Sequence, residues 1–63
     1  MISVYKCNLL DSSGSIIGAQ LFRGTDDEAA IKFAMELSER QSESCRGFEL
    51  WQRDRLVTCR ALP

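Results

Sequence analysis

The side chains in this chain able to do chemistry are the carboxylate run Asp26-Asp27-Glu28, the thiols of Cys7, Cys45 and Cys59, and Trp51 with the nearby cations Arg53, Arg55 and Arg60. Paired carboxylates could exchange protons with a substrate. Three acids in sequence after Thr25, however, suit a helix start, where they satisfy unpaired amides and favour the positive helix end. The chain holds no histidine, no glycine-rich phosphate loop and no nucleophile elbow, and a cysteine nucleophile would lack a base. The residues therefore predict a protein that is not an enzyme.

The cysteines number three, an odd count at wide spacing without a CxxC pair. They make neither a disulfide framework nor a zinc set. They are expected as free thiols filling small apolar spaces, the reduced state normal for a cytoplasmic protein. Cys45 is the exception, because residues 43–46, Glu-Ser-Cys-Arg, are expected as an exposed loop where Arg46 would favour thiolate. Asp11-Ser12-Ser13-Gly14-Ser15 has too few acids, and no glycine at the sixth position, for a calcium loop of the known type, so it is expected as a turn. No metal or cofactor is expected.

These residues are positioned by five elements. Residues 2–10 are rich in strand formers and run into the Asp-Ser-Ser-Gly turn, after which residues 15–23 resume an extended pattern. Thr25 followed by Glu28 predicts a capping box, and Ala30, Phe33, Ala34, Leu37 and Gln41 recur at helical spacing, which predicts a helix over about 26–40. Residues 41–47 are polar and end in Gly47, the exit loop. Residues 48–52 and 56–60 alternate around Arg53-Asp54-Arg55, a second hairpin. The whole predicts one domain over 1–63, an α+β ββαββ unit with a single helix on a four-stranded antiparallel sheet ordered 2-1-3-4.

One helix covers one sheet face, so the other is left open. With Leu21, Leu50 and Cys59 assigned to the helix side, alternation turns Phe22, Trp51, Thr58 and Arg60 outward beside Val4 and Lys6; the alternative is the reversed facing, with Trp51 in the core. Phe22, Trp51, Arg53, Arg55, Thr58 and Arg60 are accordingly the expected interaction surface, since tryptophan and arginine concentrate binding energy at interfaces.

Tyr5, Leu10-Asp11, Gly14, Ile16, Asp26-Asp27-Glu28-Ala29 and Glu49-Leu50-Trp51-Gln52, with Arg55 and Val57, form a pattern over nearly the whole chain that resembles a family of short uncharacterised alphaproteobacterial proteins. The resemblance implies a shared fold and a bacterial cytoplasmic setting, and it brings no catalytic or binding residues with it.

Composition narrows the function classes. The chain has 63 residues, 44% apolar and 27% charged, the balance of an ordinary globular domain. No apolar run approaches the ~20 residues that span a bilayer, and the N-terminus shows no charged-then-apolar leader pattern, so a cytoplasmic protein without membrane contact is expected. Chains this short bury only about 60% of their unfolded surface and gain from a partner. A protein-interaction module, most economically a homodimer through the open face, is the first expectation. The second is a weak single-strand nucleic-acid binder with Phe22 and Trp51 as stacking platforms and Lys6, Arg53, Arg55 and Arg60 on phosphates. The net charge of −1 argues against it, although residues 46–63 alone are mildly basic.

Overall fold

Alternation, turn chemistry and one amphipathic period produce the elements seen in the structure, a computed structural model that describes residues 2–41 and 44–61. They are β1 (Ser3–Leu10), β2 (Ile16–Gly24), α1 (Asp27–Arg40), β3 (Gly47–Gln52) and β4 (Arg55–Ala61). The strands form one antiparallel sheet in the order β2-β1-β3-β4, with the helix packed on it.

The first hairpin closes on Asp11. Its Oδ1 accepts from the Ser13 amide at 2.9 Å, the Ser13 hydroxyl at 2.7 Å and the Ser15 amide at 3.0 Å. These bonds, the Ser13 hydroxyl first, hold the Asp11 carboxyl below its ordinary range. Gly14 at φ +87° supplies the left-handed step that a side chain would resist. Asp11-Ser12-Ser13-Gly14 is thus the expected turn.

The helix runs where its period predicts, but its cap is Asp26 rather than Thr25. Asp26 accepts from the Ala29 amide at 2.8 Å, so the run of acids supplies the cap itself. Ala30, Ala34 and Ser38 are buried, flanked by half-buried Ile31, Met35 and Leu37. The buried stripe is therefore centred on small residues, which let the helix approach the sheet closely. Phe33 lies at its edge, 41% exposed, and Gln41 caps the C-terminal end rather than joining the apolar face. Of the exit loop, Ser42 and Glu43 lie outside the described residues; Arg46 donates its amide to the Leu10 carbonyl at 2.7 Å and returns the chain beside β1.

Between helix and sheet sits a core of Tyr5, Cys7, Leu9, Ala30, Ala34, Cys45, Phe48 and Leu50. Register assigns the faces: Cys7 pairs with Leu50 and Leu9 with Phe48, all inward, so Lys6 and its partner Trp51 point to the opposite side. Phe22 pairs with Tyr5 and stacks on it at 5.8 Å between ring centroids, then meets Phe33 at 4.4 Å. Phe22 therefore faces the helix and Leu21 faces away, the reverse of the expected assignment. An aromatic column buries more area than a leucine and adds ring-to-ring attraction, and it decides the parity of the strand.

In β4 the register shifts between Leu50, which pairs with Thr58, and Trp51, which pairs with Leu56. Val57 is the extra residue of this bulge. Thr58 and Arg60 therefore share the inner side with Leu50 and Phe48, and Cys59 lies on the outer side, which reverses the expectation for all three; Leu56 is on the outer side as well. Arg55 pairs with Gln52 on the helix side.

Gly47 opens β3 because nothing larger fits. A Cβ there would stand 2.7 Å from the Arg60 carbonyl oxygen, a backbone atom of the neighbouring strand. Gly47→Ala should cost about 1–3 kcal/mol by overpacking. Gly18→Ala, whose Cβ would meet Leu9 at an ordinary 3.7 Å, should change stability little. Urea unfolding of the two variants beside wild type tests the contrast, and equal midpoints would contradict it.

Candidate interaction surface

The open face is built from the outward positions of four strands. Its rows follow the register: Leu21, Lys6, Trp51 and Leu56 across one line, and Ala19, Asn8, Glu49 and Cys59 across the next. Val4 and Arg23 extend it toward one end. Leu21 is 67% exposed, Val4 54% and Leu56 46%, so large apolar side chains stand in water around a half-buried Trp51. Isolated exposed leucines are ordinary; several on one flat face around a tryptophan form a patch of the kind that marks interaction sites.

A polar trio holds the tryptophan. The indole Nε1 and the Asn8 Nδ2 both donate to Glu49 Oε1, each at 3.4 Å. Asn8 is buried beneath its neighbours, and among the described residues its Oδ1 finds no hydrogen-bond donor. The trio fixes the ring near the centre of the face, where the strand register sets Lys6 opposite Trp51.

Of the six residues expected to form the surface, Trp51 stands on the open face. Arg53 stands at its rim, in the β3–β4 turn at φ 56°. Phe22 is in the aromatic column under the helix, and Thr58 and Arg60 also lie on the helix side. There Arg60 places Nη1 3.7 Å from the Met35 sulfur. Arg55 clamps the helix: its guanidinium donates to both Asp27 oxygens, at 3.0 and 3.1 Å, and to Gln52 Oε1. Tyr5 donates its hydroxyl to Asp27 Oδ1 at 2.9 Å from the far side. Sequence reasoning missed Leu21, Leu56 and the Asn8–Glu49 pair; the alternation partner of Phe22, once Phe22 is matched to Tyr5, would have found Leu21.

The helix clamp tunes its members. The Arg55 guanidinium, and then the Tyr5 hydroxyl, hold the Asp27 carboxyl below its ordinary range. Burial first, and then the bond to Asp27, pushes the Tyr5 phenol up. This is the chemistry of a fastener rather than of a proton-transfer site. Cys45, expected in an exposed loop, is buried with its thiol donating to the Gly47 carbonyl at 3.4 Å, and the Arg46 guanidinium donates to the Cys45 carbonyl at 3.1 Å. Burial, with Cys45 nearby, pushes the Cys7 thiol up to about 11. Cys59 is exposed on the open face.

Among the described residues no group of three His, Cys, Asp or Glu could hold a metal ion, and no helix is long and apolar enough to cross a membrane. No family model matches the chain, and neither curated proteins nor solved structures yield a match.

Two outcomes follow from these contacts. Because the folded Asp27 pKa is depressed, its contribution is complete above the unfolded value of about 3.9 and is lost as pH falls through the folded pKa. Asp27→Asn should lower stability near neutral pH and flatten the acid limb of a pH–stability curve, part of which belongs to Asp11; an acid limb parallel to wild type would remove the clamp from the account. A maleimide at pH 7 should modify Cys59 well before Cys7 or Cys45, with all three reacting after unfolding. Mass spectrometry of the labelled peptides reads the order, and early labelling of Cys45 would contradict its burial.

Proposed function

We propose that this chain is a non-enzymatic protein-interaction module of the cytoplasm whose open sheet face packs against a second copy. One observation carries the reading. A single helix shields one side of a four-stranded sheet, and the other side presents Val4, Leu21 and Leu56 around the anchored Trp51.

Area supports self-association. Four strands at about 4.8 Å spacing and about six residues at about 3.3 Å rise outline a face of roughly 20 × 20 Å, so two copies would bury on the order of 1,000 Å² of surface, the threshold for a specific interface. Charge supports it as well, because the face carries both signs: Lys6 and Arg23 can meet Glu49 of a partner placed across a two-fold axis. Three unpaired thiols, two of them buried, suit a reducing compartment.

The nucleic-acid alternative loses its main supports. Phe22 is not on the open face to stack a base, Arg55 is engaged by Asp27, and Arg60 lies on the helix side. Trp51, its indole tied to Glu49, would present a carboxylate beside any phosphate.

Trp51→Ala removes the centre of the patch without entering the core. It should weaken face-to-face association roughly 30-fold, the effect of losing a ~2 kcal/mol hot spot, while the far-ultraviolet circular dichroism of the chain stays unchanged. Sedimentation equilibrium over a range of protein concentrations measures the association. A variant that associates like wild type, or one that unfolds, would contradict the reading.

A further inference from the structure

The edges of the sheet are unequal. β4 carries Arg55 and Arg60, charges that discourage strand addition, whereas a bulge is common to both edges, at Val57 in β4 and at Ile17 in β2. β2, at the other edge, runs nine residues as Ile-Ile-Gly-Ala-Gln-Leu-Phe-Arg-Gly, with no proline or lysine and one charge, Arg23, near its end. Ile16 is 59% exposed, Ile17 44% and Leu21 67%. Among the described residues, no backbone group of another element pairs with its outer edge. Such a strand is a template for pairing.

We infer that β2 pairs antiparallel with β2 of a second copy, about a two-fold axis at Gln20, joining the two sheets into one of eight strands. This contact is separate from the open face and does not rest on it. Gln20 is the midpoint of Ile16–Gly24, so an axis there centres the pairing on Gly18–Phe22, the regular stretch that lies clear of the bulge at Ile17. The same register sets Phe22 opposite Gly18 of the partner on the helix side and Leu21 opposite the partner's Ala19 on the outer side. Large meets small on both faces. The two Arg23 side chains face Ile17 of the other copy and never each other, while the Gln20 amides can hydrogen-bond across the axis. Shifting the axis to Leu21 would oppose two leucines and leave part of the strand unpaired; shifting it to Ala19 would set Phe22 against Ile16. The axis stands perpendicular to the sheet and puts both helices on one side, so two such pairs could also stack on their open faces as a closed four-chain assembly.

Cross-linking in a Cys59→Ser background tests the register, since Cys7 and Cys45 are buried. Directly opposed residues hold their Cβ atoms about 4.5–5.5 Å apart, near disulfide reach, whereas the two residues at position 23 would be about 20 Å apart. Mild oxidation of Gln20→Cys should give covalent dimer, and Arg23→Cys should not. Gln20→Lys, a change at an exposed position, opposes two ammonium groups at the axis and should weaken edge association about ten-fold or more by sedimentation, with an unchanged circular dichroism spectrum. Trp51→Ala should leave the Gln20→Cys cross-link intact, which separates failure of this contact from failure of the open face. Equal cross-linking at the two positions, or full association of folded Gln20→Lys, would overturn the pairing. Should Gln20→Lys fail to fold, the cross-link pair decides alone, and a chain giving no cross-link would leave β2 to a foreign strand.

Discussion

A fourteen-residue helix laid on a sheet of four strands can shield one side of it, and most features of this protein follow from that inequality. The shielded side takes the tyrosine, two phenylalanines, two leucines and the small helix residues; the other side keeps what remains of the apolar alternation. Among the described residues no second helix or further sheet covers it. One helix on four strands leaves the outer residues of the alternation exposed, and a partner laid over them would add to the buried surface of a small core.

The helix is fastened to the strands at its first turn, and the strands themselves are drawn together at the opposite end of β3. At its start, Asp27 is gripped by Tyr5 from β1 and Arg55 from β4, so one carboxylate ties a central strand and an edge strand to the first helical turn. The ion pair is half exposed and weakened by salt, and its role is alignment more than energy. At the other end, the Arg46 amide bonded to Leu10 and the close approach of Gly47 to Arg60 bring β3 against both neighbours. Aromatic contact fills the side toward β2, where Tyr5, Phe22 and Phe33 stack in sequence.

Local chemistry made the architecture legible. The Asp-Ser-Ser-Gly turn, the acidic helix start and the helical spacing of Ala30 and Ala34 each act within a few residues, and they sufficed for five elements in their order and for the strand order 2-1-3-4. Trp51 could be set on the open face because Phe48 and Leu50 claim the inner side of the same short strand. Facing failed where it depended on partners far away in the chain. Phe22 and Leu21 are equally plausible inward residues until Tyr5 is known to stand opposite Phe22. Thr58 and Arg60 were misplaced because a bulge at Val57 changes parity within one strand, and nothing in Leu-Val-Thr-Cys-Arg announces it. Cys45 looked exposed among polar neighbours, yet the loop folds it into the core.

Because Trp51 is the single tryptophan of the chain, its fluorescence reports on the open face without labels. The most direct measurement is acrylamide quenching of that fluorescence across a wide range of protein concentration, with sedimentation followed on the same samples. The account predicts that quenching falls and the emission maximum moves to shorter wavelength as association proceeds, because the second copy removes the half-buried ring from water. Quenching that stays constant while sedimentation shows the chains assembling would place Trp51 outside the contact and contradict the account.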